Sequence, residues 1–473
     1  MLDPHTGLGA SHRELSAVLE TAPDLREGPQ LDTILELLAQ RRTMDLSDLP
    51  PADQAQLVSA RTQALLPSVG HLDELLTSAK DRQLIVKFGI DPTAADVHVG
   101  HAVPMILASR FQRMGHRVVF IVGDITAKIG DPTGRVADRP PLTDDDIRAN
   151  MQSYRDQVTP FFDFEHADFR FNSEWLAPFT LPQFIGVLEG LPLSISLQRE
   201  DFRNRLETGS GLSMAELVYS VVMALDSVEI NADIELGGLD QLLNMQMCRR
   251  VMENRGQTPE VILATRLIEG TDGSGAKMSK SKGNYVGLAF EPKDVFGKLM
   301  SAADRLLPGY LAALTELLDP EINLLRDMMQ DKRIHPMGVK TLLASDVTGA
   351  IHGRVPAEAS RARFAAQFSR KRFSDTPDLP VINVEEHSDA TVAELLVNIT
   401  ALVPSVGQVR RIAKGGGLRL VVETDADQQD SVVLSADEVK ATVIVLTNTY
   451  APLTDQPQAR RFVKCGRALF ELR

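Results

Sequence analysis

The spacing of apolar positions changes character near residue 84. Residues 31–80 carry helix-like spacing, broken at Pro50–Pro51 and at Pro67, because proline lacks a backbone donor and clashes with the preceding turn. LIVKFGI (84–90) is then a short, continuous apolar run that stops at Asp91–Pro92, the pattern of a strand buried on both faces. A helix is expected from about Gly100 to Met114, and VVFIVGD (118–124) reads as a second buried strand. FRFN (169–172), DIELGG (233–238) and EVILATRLI (260–268) continue the series, with helical segments between them. Strands alternating with helices at this spacing predict an α/β fold on a doubly wound parallel sheet. Residues 176–228 read as mainly helical, an insertion between the two halves of that sheet.

After Lys282 the strand signal fades. Residues 293–373 carry amphipathic patterns such as LLPGYLAALTELL and predict a helical domain, and DTPDLP (375–380) is a linker signal. From 381 a small α+β unit is expected: two helical stretches, GGG at 415–417, then RLVVE, SVVL and TVIVL as strands. Residues 1–30 mix glycine, proline and charge without clear periodicity and read as an appended segment. The expected division is therefore 1–50, 51–292, 293–378 and 379–473.

Composition narrows the function. Lysine and arginine number 50 against 64 acidic residues, a net charge of −14. That excludes a histone-like binder that coats nucleic acid with its whole surface, so any polyanion must meet local basic patches. Two cysteines, Cys248 and Cys465, cannot build a disulfide framework and read as small buried hydrophobes of a reducing compartment. The opening MLDPHTGLGASH lacks the basic and apolar regions of a secretion signal. No apolar run approaches the roughly 18 residues that span a bilayer. A cytoplasmic location with no membrane partner is the expectation.

The most specific stretch is KMSKSKGN, Lys277 to Asn284. Two lysines, Lys277 and Lys280, three residues apart in a Gly/Ser-rich loop after a parallel strand, make a cationic clamp. It suits the charge that develops on a pyrophosphate leaving group. A generic K-x-x-K would more often be a solvated basic loop; the full string is far less common. Gly270 to Ser279 is not a P-loop, because Gly275 is followed by Ala276 and the spacing fails. The second signal is DPTAADVHVGH, Asp91 to His101, at the exit of the first strand. Gly100 allows close approach of a nucleotide, while His98, His101 and the helix N-terminus face phosphates. Histidines that merely cap the helix, or a metal pair, are the alternatives. No third ligand stands nearby at suitable spacing, so no metal site is expected.

Together these strings resemble the two signatures of class I aminoacyl-tRNA synthetases. FGIDPTAADVHVGH, GDITAKIGDPTGR, NSEWL, LVYSVVMALDSV, ELGGLDQ and KMSKSKGNYVGL fall in the order and spacing of the tyrosyl-tRNA synthetases. The resemblance covers about residues 84–330, and the C-terminal unit, with VGQVRRIAKGGGLRL, resembles an S4-type RNA-binding module. It implies a Rossmann-like catalytic domain at 51–292, an anticodon-binding-like helical domain at 293–378, an S4-like domain at 379–473, and a homodimer formed through the insertion. Implied roles follow the matching positions. Asp91, Thr93, His98, Gly100 and His101 hold ATP, and Gly238, Asp240 and Gln241 line its ribose and the adenylate. Arg135, Lys277 and Lys280 meet pyrophosphate, with Mg²⁺ assisting. Asp131 and Tyr219 bind the substrate's ammonium, and Asp226 accepts the hydrogen bond of the tyrosine hydroxyl.

Three positions shape the amino-acid pocket. Met223 stands where the family has a glutamine that helps hold the ammonium, and a thioether cannot replace an amide. Leu225 replaces an aromatic residue. Lys87 stands where many members have a tyrosine that touches the substrate hydroxyl, and one branch of the family shows lysine there. These features leave two readings: a tyrosine–tRNA ligase, or a synthetase-like paralogue that adenylates tyrosine or an analogue for another acceptor. VETDADQQDSVVLSADE is acidic where an RNA-binding module is normally basic. Basic residues cluster instead at Arg354, Arg361, Arg363, Arg370, Lys371 and Arg372 and at Arg410, Arg411 and Lys414.

Overall fold

The computed structural model describes residues 3–22, 24–79, 82–93, 95, 97–132, 142–197, 200–209, 212–279, 282–370, 373–376, 379–423, 429–443, 445, 459–466 and 468–473. Arg135 and Lys280 of the expected site, and Lys371 and Arg372 of the basic cluster, lie outside the described residues. The chain divides into two compact units, Met1–Ala357 and Glu358–Arg473.

The first unit is built on six strands: β1 (Thr62–Leu66), β2 (Ile85–Ile90), β3 (Arg117–Val122), β4 (Asp168–Phe171), β5 (Ile234–Gly238) and β6 (Val261–Thr265). Their order is β1-β6-β5-β2-β3-β4. β2 to β6 are mutually parallel, as the apolar runs imply, and β1 joins β6 antiparallel at the edge. β1 corrects the expectation of helix throughout 31–80. TQALL is too short to declare a period, and its pairing (Ala64 opposite Ala264) is made by a partner 200 residues away. The strand order reverses between β5 and β2, and the carboxyl ends beside that switch point form the crevice where open α/β sheets bind ligands. Helices Leu181–Leu188, Leu193–Ser196, Glu200–Thr208 and Met214–Ile230 occupy the expected insertion.

Two further corrections concern the chain's organisation. Residues 1–30 are not a merely appended part of the chain, and with the rest of 1–50 they pack into the first unit. Helix Gly7–Thr21 buries Leu8, Leu15 and Leu19, and helix Pro29–Thr43 buries Leu31, Ile34 and Leu38. Helices Pro292–Met300, Leu307–Leu314, Asp319–Gln330 and Pro336–His352 belong to the same compact unit, so the separate helical domain expected at 293–378 is not observed as a unit of its own.

A buried ion network ties these parts together. Arg41 sets its two terminal nitrogens 2.8 Å from the two carboxylate oxygens of Glu321, and its Nε 2.8 Å from Ser11 Oγ. Glu316 accepts from Arg110 at 3.0 Å and from Arg113 at 3.2 Å. Arg113 also donates to the backbone carbonyl of Arg41. Both Arg110 and Arg113 stand in the last turn of helix Val99–Arg113. The helix that begins at the HVGH sequence therefore ends in this network.

The second unit has its own five strands: β7 (Val381–Ile382), β8 (Leu418–Glu423), β9 (Gln429–Val433), β10 (Arg460–Cys465) and β11 (Ala468–Leu472), in the order β7-β11-β10-β8-β9. Its core gathers Leu395, Leu396, Val409, Leu418, Leu420, Val463 and Phe470. Gly416 turns the chain from helix Val406–Lys414 into β8 at φ 72°, a conformation that favours glycine. Of the expected strand TVIVL (442–446), Ile444 and Leu446 lie outside the described residues; Thr442 makes an isolated bridge to Thr391, and β10 and β11 complete the sheet.

Candidate active site

A cavity of about 680 Å³ opens at the switch point of the first unit. It is lined by every expected site residue among those described: Lys87, Asp91, Thr93, His98, Gly100, His101, Asp131, Tyr219, Met223, Asp226, Gly238, Asp240, Gln241 and Lys277. It runs from the exposed side chains of His101 and Lys277 down to Asp226 and Lys87, which are buried.

At the open end, His98 is the N-cap of helix Val99–Arg113. Its Nδ1 accepts from Gly100 N at 3.1 Å, and His101 Nδ1 accepts in return from His98 N at 3.2 Å. The rings lie 4.0 Å apart. The capping reading of these histidines is thus correct, and it serves the functional one: with Nδ1 accepting, a neutral ring carries its proton on Nε2. A Cβ on Gly100 would stand 2.9 Å from the His98 ring, so glycine is needed for the imidazole to fold over the helix start.

The two signature segments are joined through the backbone. Val99 N donates to Val286 O at 3.0 Å and Leu288 N to Val97 O at 2.9 Å, so the chain leaving KMSKSKGN pairs with the chain entering HVGH. Inside the loop, Asn284 is buried and its Oδ1 accepts from Ser279 N at 2.9 Å. Met278 N donates to Ile268 O at 3.0 Å, which fixes the start of the loop beside β6. Lys277 Nζ lies 3.6 Å from Asp240 Oδ2, so the cation and the expected ribose ligand share one wall.

Deeper in, Asp91 leaves the end of β2 and accepts from Tyr219 Oη at 2.8 Å and Thr126 Oγ1 at 2.6 Å. Desolvation pushes its carboxyl up to about 7, against those two hydrogen bonds. A side chain at Gly123 would overlap both Asp91 and Thr126. Asp131 accepts from Gln241 Nε2 at 2.7 Å and from Asn244 Nδ2 at 3.4 Å, which ties the ammonium-binding candidate to the GGLDQ segment. Met223 lines the cavity from helix Met214–Ile230 and packs beside Met245, Leu239 and Leu242.

At the closed end, Asp226 accepts from Trp175 Nε1 at 2.9 Å and from Asn172 Nδ2 at 3.5 Å. Desolvation raises its carboxyl to about 7, while the charge of Lys87 works in the opposite direction. Trp175 and Asn172 belong to NSEWL. That string carries the family resemblance, yet nothing in it states that its indole and amide would meet an aspartate 51 and 54 positions away. Glu235, Thr126, Gly123 and Asn244 were likewise missed, because each acts through a partner that only the sheet brings near.

With this geometry in view, comparison with known proteins is direct. Residues 79–369 match the family model of the class I tRNA synthetases, W and Y group. A tyrosine–tRNA ligase of Thermotoga maritima is 34% identical over 391 residues, covering 83% of this chain and 95% of that protein. One from Oleidesulfovibrio alaskensis is 39% identical over 342 residues, covering 72% and 85%. The chain belongs to the class I tRNA synthetases of this group. The fold agrees with the crystal structure of a tyrosyl-tRNA synthetase from Archaeoglobus fulgidus complexed with L-tyrosine: TM-score 0.53, 18% identity, 66% of this chain and 99% of that one. Among the described residues, no helix is long and apolar enough to cross a membrane.

Proposed function

We infer that this enzyme is a tyrosine–tRNA ligase, which uses ATP to form tyrosyl-adenylate and passes the tyrosyl group to tRNA in the cytoplasm. One observation carries the reading: a single cavity has His98, His101 and Lys277 at its mouth and a buried aspartate, held by an indole and an amide, at its floor. Named tyrosine–tRNA ligases among the relatives favour this over a paralogue with another acceptor.

Activation is in-line attack of the amino acid's carboxylate on the α-phosphorus of ATP. The nucleophile is already an anion, so no general base is needed, and the protein acts by positioning and by stabilising the departing charge. The Nε2–H groups of His98 and His101 and the ammonium of Lys277 face that charge; the resemblance gives Arg135 and Lys280 the same task. Thr93, Gly100, Gly238, Asp240 and Gln241 would hold the nucleotide. Asp240 lies 3.6 Å from Lys277, so Mg²⁺ would be held there only together with the phosphates, whose charge it would neutralise when bound. Asp131 and Tyr219 would receive the ammonium, with Tyr219 oriented by Asp91. Asp226 would accept the phenolic hydrogen bond. A substrate without the hydroxyl would leave that carboxylate with only the donors of Trp175 and Asn172, a mode of selection for which tyrosyl-tRNA synthetases are the standing example.

Two assembly features accompany the reading. The insertion exposes Leu181 (70%), Ile185, Leu193 and Met214 (74%), an apolar surface suited to a symmetric dimer. Arg410, Arg411, Lys414 and Arg419 are exposed around helix Val406–Lys414 and supply a local basic face for tRNA in an acidic chain. Tyrosine-dependent exchange of pyrophosphate into ATP, followed by charging of total tRNA, tests the activity. Exchange without charging would sink the ligase reading, and sedimentation as a monomer at micromolar concentration would sink the dimer.

A further inference from the structure

Directly behind the floor of the pocket lies a second set of ionisable groups that the adenylation chemistry does not use. Lys87 on β2 and Glu235 on β5 are cross-strand partners, so the register itself places ammonium against carboxylate. Lys87 Nζ donates to Glu235 Oε1 at 2.6 Å and to Ser227 Oγ at 2.7 Å, and Cys248 Sγ lies 3.9 Å away. Ser227 in turn donates to Glu260 Oε1 at 3.1 Å. Lys87, Glu235, Ser227, Cys248 and Glu260 are all essentially without solvent exposure. The second oxygens of Glu235 and Glu260 find no donor, and the two carboxyl groups approach each other within 4.8 Å.

Glu235, Cys248 and Glu260 would by spacing suit a metal ion, their ligand atoms lying within 4.8 Å of one another. The cation in contact with them is Lys87. One ammonium cannot balance Glu235, Glu260 and the adjacent Asp226 in a dry interior, since an uncompensated buried charge is costly. A proton held between the two glutamates removes that excess and satisfies both orphan oxygens at once.

We propose that Lys87, Glu235 and Glu260 form a positioning cluster in which Glu260 carries a proton toward Glu235, and that the Lys87 ammonium so fixed is the counter-charge keeping Asp226 ionised for the substrate's hydroxyl. The proposal rests on Asp226 being the hydroxyl acceptor. The groups facing Asp226 are Lys87 from β2, Glu235 from β5, Asp91 beyond β2, Tyr219 on its own helix, and Glu260 and Cys248 behind Lys87. Among them Lys87 is the one cation, and desolvation together with the acidic neighbours opposes it.

The test is tyrosine and phenylalanine affinity of the full-length enzyme, by calorimetric titration between pH 5.5 and 9. Tyrosine needs ionised Asp226, so its affinity relative to phenylalanine falls on the acid side, about tenfold per pH unit below the limb, while titration of Asp91 at the ammonium site acts on both amino acids alike and cancels in the ratio. Lys87→Met moves the tyrosine limb upward by about one pH unit or more, and Lys87→Arg restores it. Glu235→Gln moves it downward. Glu260→Gln leaves the limb in place, because an amide replaces a carboxylic acid that was already neutral.

A general structural disturbance would move both amino acids together and not the limb. A limb unmoved in Lys87→Met overturns the proposal, and so does a limb that moves down in Glu260→Gln as far as in Glu235→Gln. If Lys87→Met does not fold, the two glutamine variants decide alone. A native enzyme with no limb for tyrosine would instead overturn the role of Asp226 itself.

Discussion

Two buried charge clusters lie in the first unit, and they are built from the same ingredients in opposite proportion. Around Glu316 and Glu321, arginines outnumber carboxylates: Arg41, Arg110 and Arg113 converge there, with Arg42 and Arg61 beside them. Burial alone would raise Glu316, yet the arginine charges hold it down at about 2. Around Lys87 the carboxylates are in excess, and burial, opposed by a single ammonium, lifts Asp226 to about 7 and Glu260 above its ordinary range. The first cluster is finished on the carboxylate side only: Glu316 and Glu321 are paired, while the Nε groups of Arg61, Arg110 and Arg113 find no acceptor, and the pairs hold the N-terminal helices and the HVGH-bearing helix in place. In the second, Asp226 reaches the cavity wall with burial opposing its charge, and there, on the proposed function, it would accept the phenolic hydroxyl. Paired buried carboxylates serve stability here, while Asp226, with burial against it, is the group the proposed function assigns to recognition.

The largest expected effect breaks the finished cluster. Arg41→Met leaves Glu321 buried without its bidentate partner and should cost about 3–5 kcal/mol in unfolding free energy, the usual penalty for removing half of a buried pair. The denaturant midpoint should fall while pyrophosphate exchange by the protein that remains folded keeps its tyrosine KM; an unchanged midpoint would mean the network is not holding the N-terminal helices.

Next comes the mouth of the cavity. His101→Ala or Lys277→Ala should slow single-turnover adenylation by about a hundredfold, with tyrosine affinity little changed, because these groups act on charge that develops only in the reaction. Wild-type rates in both variants would contradict the assignment.

The clusters should also respond to pH with opposite sign. Glu316 has its folded value (about 2) below its ordinary 4.5, so it contributes stability that is present above 4.5 and lost as pH falls toward 2. Asp226 has its folded value (about 7) above its ordinary 3.8, so its contribution is present at low pH and lost as pH rises from 3.8 through 7. Asp226→Asn should therefore stabilise the ligand-free protein by about 1–3 kcal/mol at pH 8, the cost of an incompletely compensated buried charge, and by less at pH 5. Thermal unfolding at the two pH values measures this, and the same variant should lose its preference for tyrosine over phenylalanine.

An effect of similar size sharpens the recognition side. Met223 occupies the glutamine position, and a hydrogen bond to a charged ammonium contributes about 1.5–3 kcal/mol. Met223→Gln should tighten tyrosine tenfold or more by calorimetry. An unchanged affinity would show that Asp131, braced by Gln241 and Asn244, already completes the ammonium site.

Much of the catalytic unit could be read directly from the chain. Each of the five mostly apolar runs became a parallel strand, since a strand in such a sheet is largely apolar along its length, with Lys87 on β2 and Glu235 on β5 as buried charged exceptions, and that pattern is local. HVGH and KMSKSKGN were legible for a similar reason: their residues are contiguous and their chemistry depends on spacing within a few positions. Tertiary structure alone decided the rest. The strand Thr62–Leu66 exists because β6 offers an open edge. The N-terminal fifty residues fold in because Arg41, which looks like a solvated charge in sequence, finds Glu321 at the far end of the unit. Lys87, Glu235, Glu260, Trp175 and Asn172 lie on separate elements, and no pattern of neighbours announces that a sheet register and two helices will bring them behind one aspartate. Local pattern determines which segments are buried. Which buried charge meets which partner is a long-range choice, made only when the sheet closes and burial makes an unpaired charge too costly to leave.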